Sequence, residues 1–386
     1  MLAKGQNTSR TKRMNKSLVL QTLLRYGPIP RQRIAEMTHL TRATITYITS
    51  QLIEEGVVQE TGALITEKNS AGRRSVGLDL KSDAVWVIGI HISMFELKIG
   101  LVNLKGEVED LYEKKAEPCF NQDEYVHFII TEINEYLSAH SHRNPSGIGI
   151  SSTGIVDYMA GRIFGNEETG WPDIDLLSNL RKEFDLPVFL DNYVSSMALS
   201  EKMFGLSRTM MDFMYIYIGQ GVGGGLILND DLYRSGVTGA GEFGHMTYMP
   251  GGRKCWCGNE GCLEQYVSEL ILLEELGAGS IEEVIGRVHE GDNGAVKVLE
   301  EAGEKISIVL SSLVNMIHVQ KIVVGGMLAD QNLPIVEKIS EGVNNKSFLA
   351  KKQPIEVAHS IFGRDIEVAG AGALALWNEF YSKIVE

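Results

Sequence analysis

Three of the chain's four cysteines and one histidine fall within 18 residues: His245, Cys255, Cys257 and Cys262. Three thiolates and one imidazole are the donor set of a closed tetrahedral zinc site. Such a site keeps no position open for water, so the expected metal is structural rather than hydrolytic. Gly251, Gly252, Gly258 and Gly261 lie among the ligands, and glycine supplies the left-handed turns that let sulfurs converge in a short loop. Cys-x-Cys-x4-Cys in one such loop is too tight a cluster for thiols that merely pack. Two acids, Glu242 and Glu264, bracket the loop, while Cys119 stands alone in a polar stretch.

A second polar cluster sits where VFLDNYVSSMALSEKMFG, residues 188–205, passes from strand to helix at Asp191-Asn192. Polar side chains at the carboxyl end of a strand are where α/β sheets bind ligands. The elements that would position these groups form a repeated pattern. VWVIGIHISMFELKIGLVNLKGEV reads as two strands around a turn with a third after Lys105-Gly106, and FMYIYIGQGVGGGLILNDDLY, residues 213–233, repeats that organisation. Between them lie a helix at Gln122–Ala139 and the strand GIGISSTGIV, residues 147–156; after the cysteine loop the chain is mainly helical to His318, then KIVVGG and GAGALALW follow as a buried strand and a small-residue helix. Two α/β lobes closing on a cleft are expected, with approximate bounds 81–200 and 201–386.

The first 80 residues differ in kind: they hold 12 Lys and Arg against 6 Asp and Glu, whereas the remainder holds 24 against 44. A basic head on an acidic body implies that the head alone meets a polyanion. Its pattern predicts a helix from Asn15 with Leu18, Val19, Leu23 and Leu24 on one face, a short helix after Pro30, and a third in TRATITYITSQLIEEG with Ile45, Ile48, Leu52 and Ile53 as its stripe. The opposite face carries Thr41, Arg42, Thr44, Thr46 and Tyr47, the hydrogen-bonding face of a recognition helix. Val57 to Leu80 then reads as a β-wing whose Arg73 and Arg74 would reach DNA backbone or minor groove. Residues 1–80 are therefore expected to be a winged helix-turn-helix domain.

With 386 residues, 44% of them hydrophobic, the chain has material for two or three folded domains. No apolar run reaches the roughly 20 residues that span a bilayer. The N-terminus lacks the apolar stretch of a signal peptide, so a cytoplasmic protein without membrane contact is expected, in a reducing compartment that suits metal-binding thiols.

GIGISSTGIV, Gly170-Trp171, Asp191-Asn192 with the helix ending in Glu201, GQGVGGG, GEFGH and CWCGNEGCLE together resemble the ROK family (repressor, open reading frame, kinase) of actin-like sugar kinases. Head plus body is similar to that family's xylose-repressor branch. The resemblance implies a zinc loop and a sugar held by Asn192, Glu242, His245 and Glu264, with residues 81–386 as the sugar-binding body. The chemistry is consistent: carboxylates accept from adjacent hydroxyls of a pyranose, and His245 can offer one ring nitrogen to metal and the other to sugar.

Two departures from the kinase pattern stand out. Tyr193 occupies the position of the kinases' general-base aspartate, and a phenol with a reference pKa of about 10 is a poor base at neutral pH. The phosphate loop Asp-x-Gly-Gly-Thr is replaced by His91-Ile92-Ser93-Met94-Phe95, which removes the acid, glycines and hydroxyl that handle nucleotide and magnesium. No catalytic residue is expected. The expected function is a sugar-responsive DNA-binding regulator, a repressor acting as a homodimer or homotetramer on operator DNA, with xylose or a hexose as effector. The rival readings are an active ATP-dependent sugar kinase with an accessory head, and a regulator whose body recognises another protein.

Overall fold

The computed structural model describes residues 8–63, 75–94, 96–115, 121–166, 170–236, 239–330 and 332–382. Helix α1 (Thr8–Tyr26) starts about two turns before the expected Asn15, the added residues being polar except Met14. Its inner face is Val19, Leu20 and Leu23; Leu18, expected there, is turned to solvent. After β1 (Ile29–Pro30) come α2 (Arg31–Thr38) and α3 (Arg42–Glu54), the latter started by Thr41, whose hydroxyl accepts from the Thr44 amide at 3.2 Å. Strands β2 (Val58–Ala63) and β3 (Val76–Leu80) pair antiparallel and β1 adds to β3, completing a winged helix-turn-helix. Ile34, Ile45, Leu52, Leu78 and Leu80 are fully buried between helices and wing.

The first body sheet opens as an antiparallel meander of β4 (Trp86–Ile92), β5 (Glu96–Asn103) and β6 (Val108–Lys115). Helix α4 (Gln122–Ala139) returns the chain to β7 (Ile148–Ser152), parallel to β4. The single strand expected to run to Val156 breaks at Thr153-Gly154, where Gly154 has φ +79. Beyond that turn, β8 (Ile155–Asp157), β9 (Arg162–Phe164) and β10 (Ile174–Asp175) make a small separate sheet. Then α5 (Leu176–Glu183), β11 (Val188–Asn192), parallel to β7, and α6 (Tyr193–Phe204) follow.

The second sheet repeats this plan. A meander of β12 (Phe213–Ile218), β13 (Val222–Leu228) and β14 (Asp231–Leu232) leads through the cysteine loop into α7 (Glu264–Val267), α8 (Glu269–Leu276), α9 (Ile281–His289) and α10 (Asn293–Met316). Strand β15 (Lys321–Gly325), α11 (Ile335–Lys346), β16 (Glu356–His359) and α12 (Ile366–Leu376) complete it. Strand orders are β11-β7-β4-β5-β6 and β14-β13-β12-β15-β16, so each sheet runs fifth, fourth, first, second, third or its reverse. The repeat lies in topology, which tolerates wide drift in side chains.

The last helix of each repeat packs on the other repeat's sheet: α6 lies on β12 and β13, α12 on β4, β5 and β7, and the two helices pack together. Gly89 and Gly149 make this possible, since a Cβ there would stand 2.3 Å from the Val368 carbonyl and 1.8 Å from that of Ala371. A lobe division near residue 200 therefore needs correction: α12, at the far end of the chain, belongs to the first sheet's layer. Buried residues of α1 and α3 continue without a break into those of α6, α12 and Tyr381, one apolar core shared by head and body. Among the described residues no helix is long and apolar enough to cross a membrane.

Candidate functional site

The loop between β14 and α7 folds on short-range hydrogen bonds. Cys255 N donates to Asn259 O at 2.9 Å, Tyr248 N to Gly261 O at 2.8 Å and Leu263 N to Met246 O at 3.0 Å. At Gly261, φ is +82 and a Cβ would sit 1.7 Å from the Met249 carbonyl, so only glycine closes this turn. The result gathers His245, Cys255, Cys257 and Cys262 with all ligand atoms within 4.8 Å of one another. Cys255 Sγ lies 3.6 Å from His245 Nδ1, and Cys257 Sγ 3.6 Å from Cys262 Sγ. A tetrahedral cation with metal–sulfur bonds of roughly 2.3 Å has ligand–ligand edges of roughly 3.8 Å, so the four atoms fit one metal ion. Asn259 Nδ2 donates to Cys262 Sγ at 3.4 Å and Gln265 Nε2 to Cys255 Sγ at 3.6 Å, contacts that favour thiolate. Burial holds the Cys255 and Cys262 thiols above their ordinary value, a cost that a bound cation would reverse.

The same loop builds one side of the inter-sheet cleft. Glu264, 7% exposed, accepts from the Val222 amide at 2.9 Å on Oε2 and from the Trp256 indole at 2.8 Å on Oε1. Trp256 stands edge-on to His245 with ring centroids 4.7 Å apart. The Glu242 carboxyl is raised above its usual value, first by the protein crowded around it, with Glu264 adding to the rise and His245 opposing it. Residue Glu242 is nevertheless exposed. The Tyr193 hydroxyl belongs to this group: burial, Glu264 and Glu242 all hold it above an ordinary phenol.

Asn192 is the N-cap of α6, its Oδ1 accepting from Val194 N at 2.9 Å and Ser195 N at 3.3 Å, while Nδ2 donates to Gly154 O at 3.2 Å. Beside it Asp191, 4% exposed, receives Arg234 through Nε at 2.9 Å and Nη2 at 2.7 Å, joining the two sheets across the cleft. Sequence reasoning missed Arg234 and Trp256. Arg234 left no signal, but Trp256, lying between two ligands, could have been found from its place in the loop.

The opposite side of the cleft, at the β4–β5 turn, has different chemistry. His91 is 3% exposed, with Nδ1 3.1 Å from Ser151 Oγ, and its burial lowers its pKa. Lys98 Nζ lies 2.8 Å from Glu367 Oε2 and 3.0 Å from Glu96 Oε1. Burial opposes the Lys98 charge, but the two acids outweigh it and raise its pKa. Tyr217 donates to Glu367 Oε1 at 3.1 Å, and Glu269, nearby on α8, is pushed up to about 7 by burial, Glu367 and Glu282. His91, Glu96 and Glu367 also approach one another closely enough to hold a cation, but Lys98 already serves as the counter-ion there.

In the head, Thr41, Arg42, Thr46 and Tyr47 are exposed and Thr44 is half-buried, on the face of α3 away from Ile45, Ile48 and Leu52. Thr41 and Thr44 are engaged with each other at 2.9 Å. Arg73 and Arg74 lie outside the described residues. The head is fastened to the body through α1: Ser17 and Gln21 donate to the Tyr381 carbonyl, and Arg208 Nε donates to Arg25 O at 3.0 Å. Asp230 bridges Arg25, at 2.8 Å, and the buried ammonium of Lys202 on α6.

Sequence profiles described as "ROK family" and "winged helix-turn-helix DNA-binding" match residues 87–378 and 15–59. The chain is 30% identical to the xylose repressor of Caldicellulosiruptor bescii over 96% of its own length and 97% of that protein's. It is 27% identical to the N-acetylglucosamine repressor of Escherichia coli O6:H1, over 92% and 90%. The crystal structure of a ROK family transcriptional regulator, a homologue of the E. coli MLC protein, superposes with a TM-score of 0.76 at 26% identity, covering 95% of this chain and 96% of that one.

Proposed function

We propose that this chain, which belongs to the ROK family, is a sugar-responsive DNA-binding transcriptional repressor. Residues 1–80 act as the DNA-binding head and 81–386 as the sugar-binding body. The observation that carries the reading is the course of α6: it is capped by Asn192 in the cleft and carries in its last turn Lys202, which Asp230 ties to Arg25 of the head.

In this reading α3 enters the major groove of operator DNA with Arg42, Thr46 and Tyr47 facing bases, while Thr41 and Thr44 set the helix start. Arg73 and Arg74 add phosphate or minor-groove contacts. Two heads of a homodimer, or pairs within a homotetramer, meet the half-sites of a palindrome. The cysteine loop holds a structural zinc ion through His245, Cys255, Cys257 and Cys262. The effector, xylose or a hexose, is bound by Glu242, Glu264, the Nε2 side of His245 and the remaining amide hydrogen of Asn192.

The body carries no phosphoryl-transfer activity. Tyr193 keeps its proton in the cleft, so it donates to a sugar hydroxyl or to Glu264 where a kinase needs a base. A triphosphate requires donors and cations, and the β4–β5 side presents Glu96, Glu269 and Glu367 with Lys98 already paired.

Regulation follows from differential affinity: a sugar that prefers one separation of the two sheets shifts α6 and, through Asp230, the head. Titrating xylose and common hexoses against the operator-bound protein, read by fluorescence anisotropy, tests this. Release by at least one sugar is expected; no release by any of them overturns the effector reading.

A further inference from the structure

Of the residues between the metal ligands, Trp256 alone touches two of the groups assigned to the sugar. Its indole N–H donates to Glu264 Oε1 at 2.8 Å, and its ring meets His245 edge-on at 4.7 Å. Glu264 Oε2 is held from the other direction by the Val222 amide at 2.9 Å. Two N–H donors on opposite oxygens fix the plane of the carboxylate, and each oxygen retains a lone pair. A metal loop whose task was only to bind metal would not need an indole here. Yet Trp256 is 36% exposed, a large fraction for an aromatic that has a buried hydrogen-bond partner.

We propose that Trp256 is a positioning and specificity residue of the sugar site, which aims Glu264 through its N–H and offers the open part of its ring to the C–H face of a neutral pyranose. The inference rests on the sugar reading above. A carbohydrate presents an alternation of hydroxyl edges and apolar C–H faces, and an indole with one polar edge and one open face matches both at once. The carboxylate takes the hydroxyls while the ring takes the face, so the two selections act on the same molecule from adjacent directions. The metal loop thereby sets ligand orientation through its side chain as well as through its ligands.

The test compares the full-length protein with Trp256→Phe and Glu264→Gln, each assayed for metal content, for sugar affinity by calorimetry and for sugar-dependent tryptophan emission. Trp256→Phe keeps a ring but loses the donor. It is expected to retain one metal per chain, to weaken sugar binding by about tenfold or more, and to lose the emission change that sugar causes in the unaltered protein. Because both residues act through one carboxylate, the losses in Trp256→Phe and Glu264→Gln should be strongly non-additive in the double variant. Unchanged affinity in Trp256→Phe, additive losses, or loss of metal from that variant would each overturn the inference while leaving the sugar reading intact. If the unaltered protein binds no xylose or hexose, the sugar reading itself fails and takes this inference with it.

Discussion

The two sides of the cleft are both rich in carboxylates, and they use them in opposite ways. On the side of the cysteine loop Glu264 is held by an amide and an indole, while Glu242 stays exposed. Acceptors are oriented there but not consumed, which suits a ligand made of hydroxyls. On the β4–β5 side Glu96 and Glu367 are spent on Lys98 and Tyr217, and Glu269 is pressed towards its neutral form. The contrast teaches that the direction and occupancy of polar groups, more than their number, decides what a cleft can hold.

Breaking the metal side should have the largest effect. Cys257→Ser, or prolonged chelation, is expected to remove the metal, abolish the sugar response and lower the thermal midpoint by about 10 °C, because ligand convergence and loop folding are one event. Metal analysis with thermal melting checks it, and a metal-free protein with unchanged melting and sugar response would refute the role given to that side.

Next comes the connection from the cleft to the head. Asp230→Asn should leave sugar affinity within about twofold but reduce sugar-driven release of DNA by roughly 5- to 30-fold, the size of an ordinary coupling energy. Parallel calorimetry and anisotropy separate the two quantities. Full release would mean that the cleft reaches the head by another route.

Smaller again is the effect expected on the β4–β5 side. Glu269 is half-buried and feels Glu367 and Glu282 as like charges, with Lys98 as the cation that opposes them. Burial and these like charges push its carboxyl up to about 7 from an ordinary value of 4.5, so between those values the folded state holds more proton than the unfolded one and stability falls as pH rises. Glu269→Gln should remove that slope. The variant should be more stable than the parent above pH 7 by about 1 kcal/mol or less, after allowance for screening, and equal to it at pH 4. Chemical denaturation across this range would reveal a variant with the parent's slope, should the assignment be wrong. Last, millimolar Mg-ATP should give no thermal shift, whereas a bound sugar stabilises by mass action. A reproducible ATP shift would erase the contrast between the two sides.

Much of this was legible in the sequence because it is local. His245 and the three cysteines clustered with it lie within one loop whose glycines dictate its turns, and the three helices and wing of the head follow from short apolar periods and a Thr41 cap. The repeated sheet plan was visible as two similar strand patterns. Where expectation missed, the cause was packing at a distance. Leu18 fits the helical stripe by spacing, but the partners of α1 select Leu20 instead. GIGISSTGIV reads as one strand, but the sheet ends at Ser152 and Gly154 turns the remainder into a second, smaller sheet.

By itself, then, the sequence determined the gathering of His245 and three cysteines in one loop, the class of the head and the presence of two related α/β units, because hydrogen bonds and apolar periods over a few residues specify such features. Only the tertiary structure decided that α12 crosses to the first sheet, that Arg234 pairs with Asp191, that Lys98 is taken up by Glu367, and that Asp230 joins Lys202 to Arg25. Charge composition offers each acid many cations. Which pair forms depends on where the folded backbone leaves two side chains close together and shielded from water, and that is a property of the whole chain.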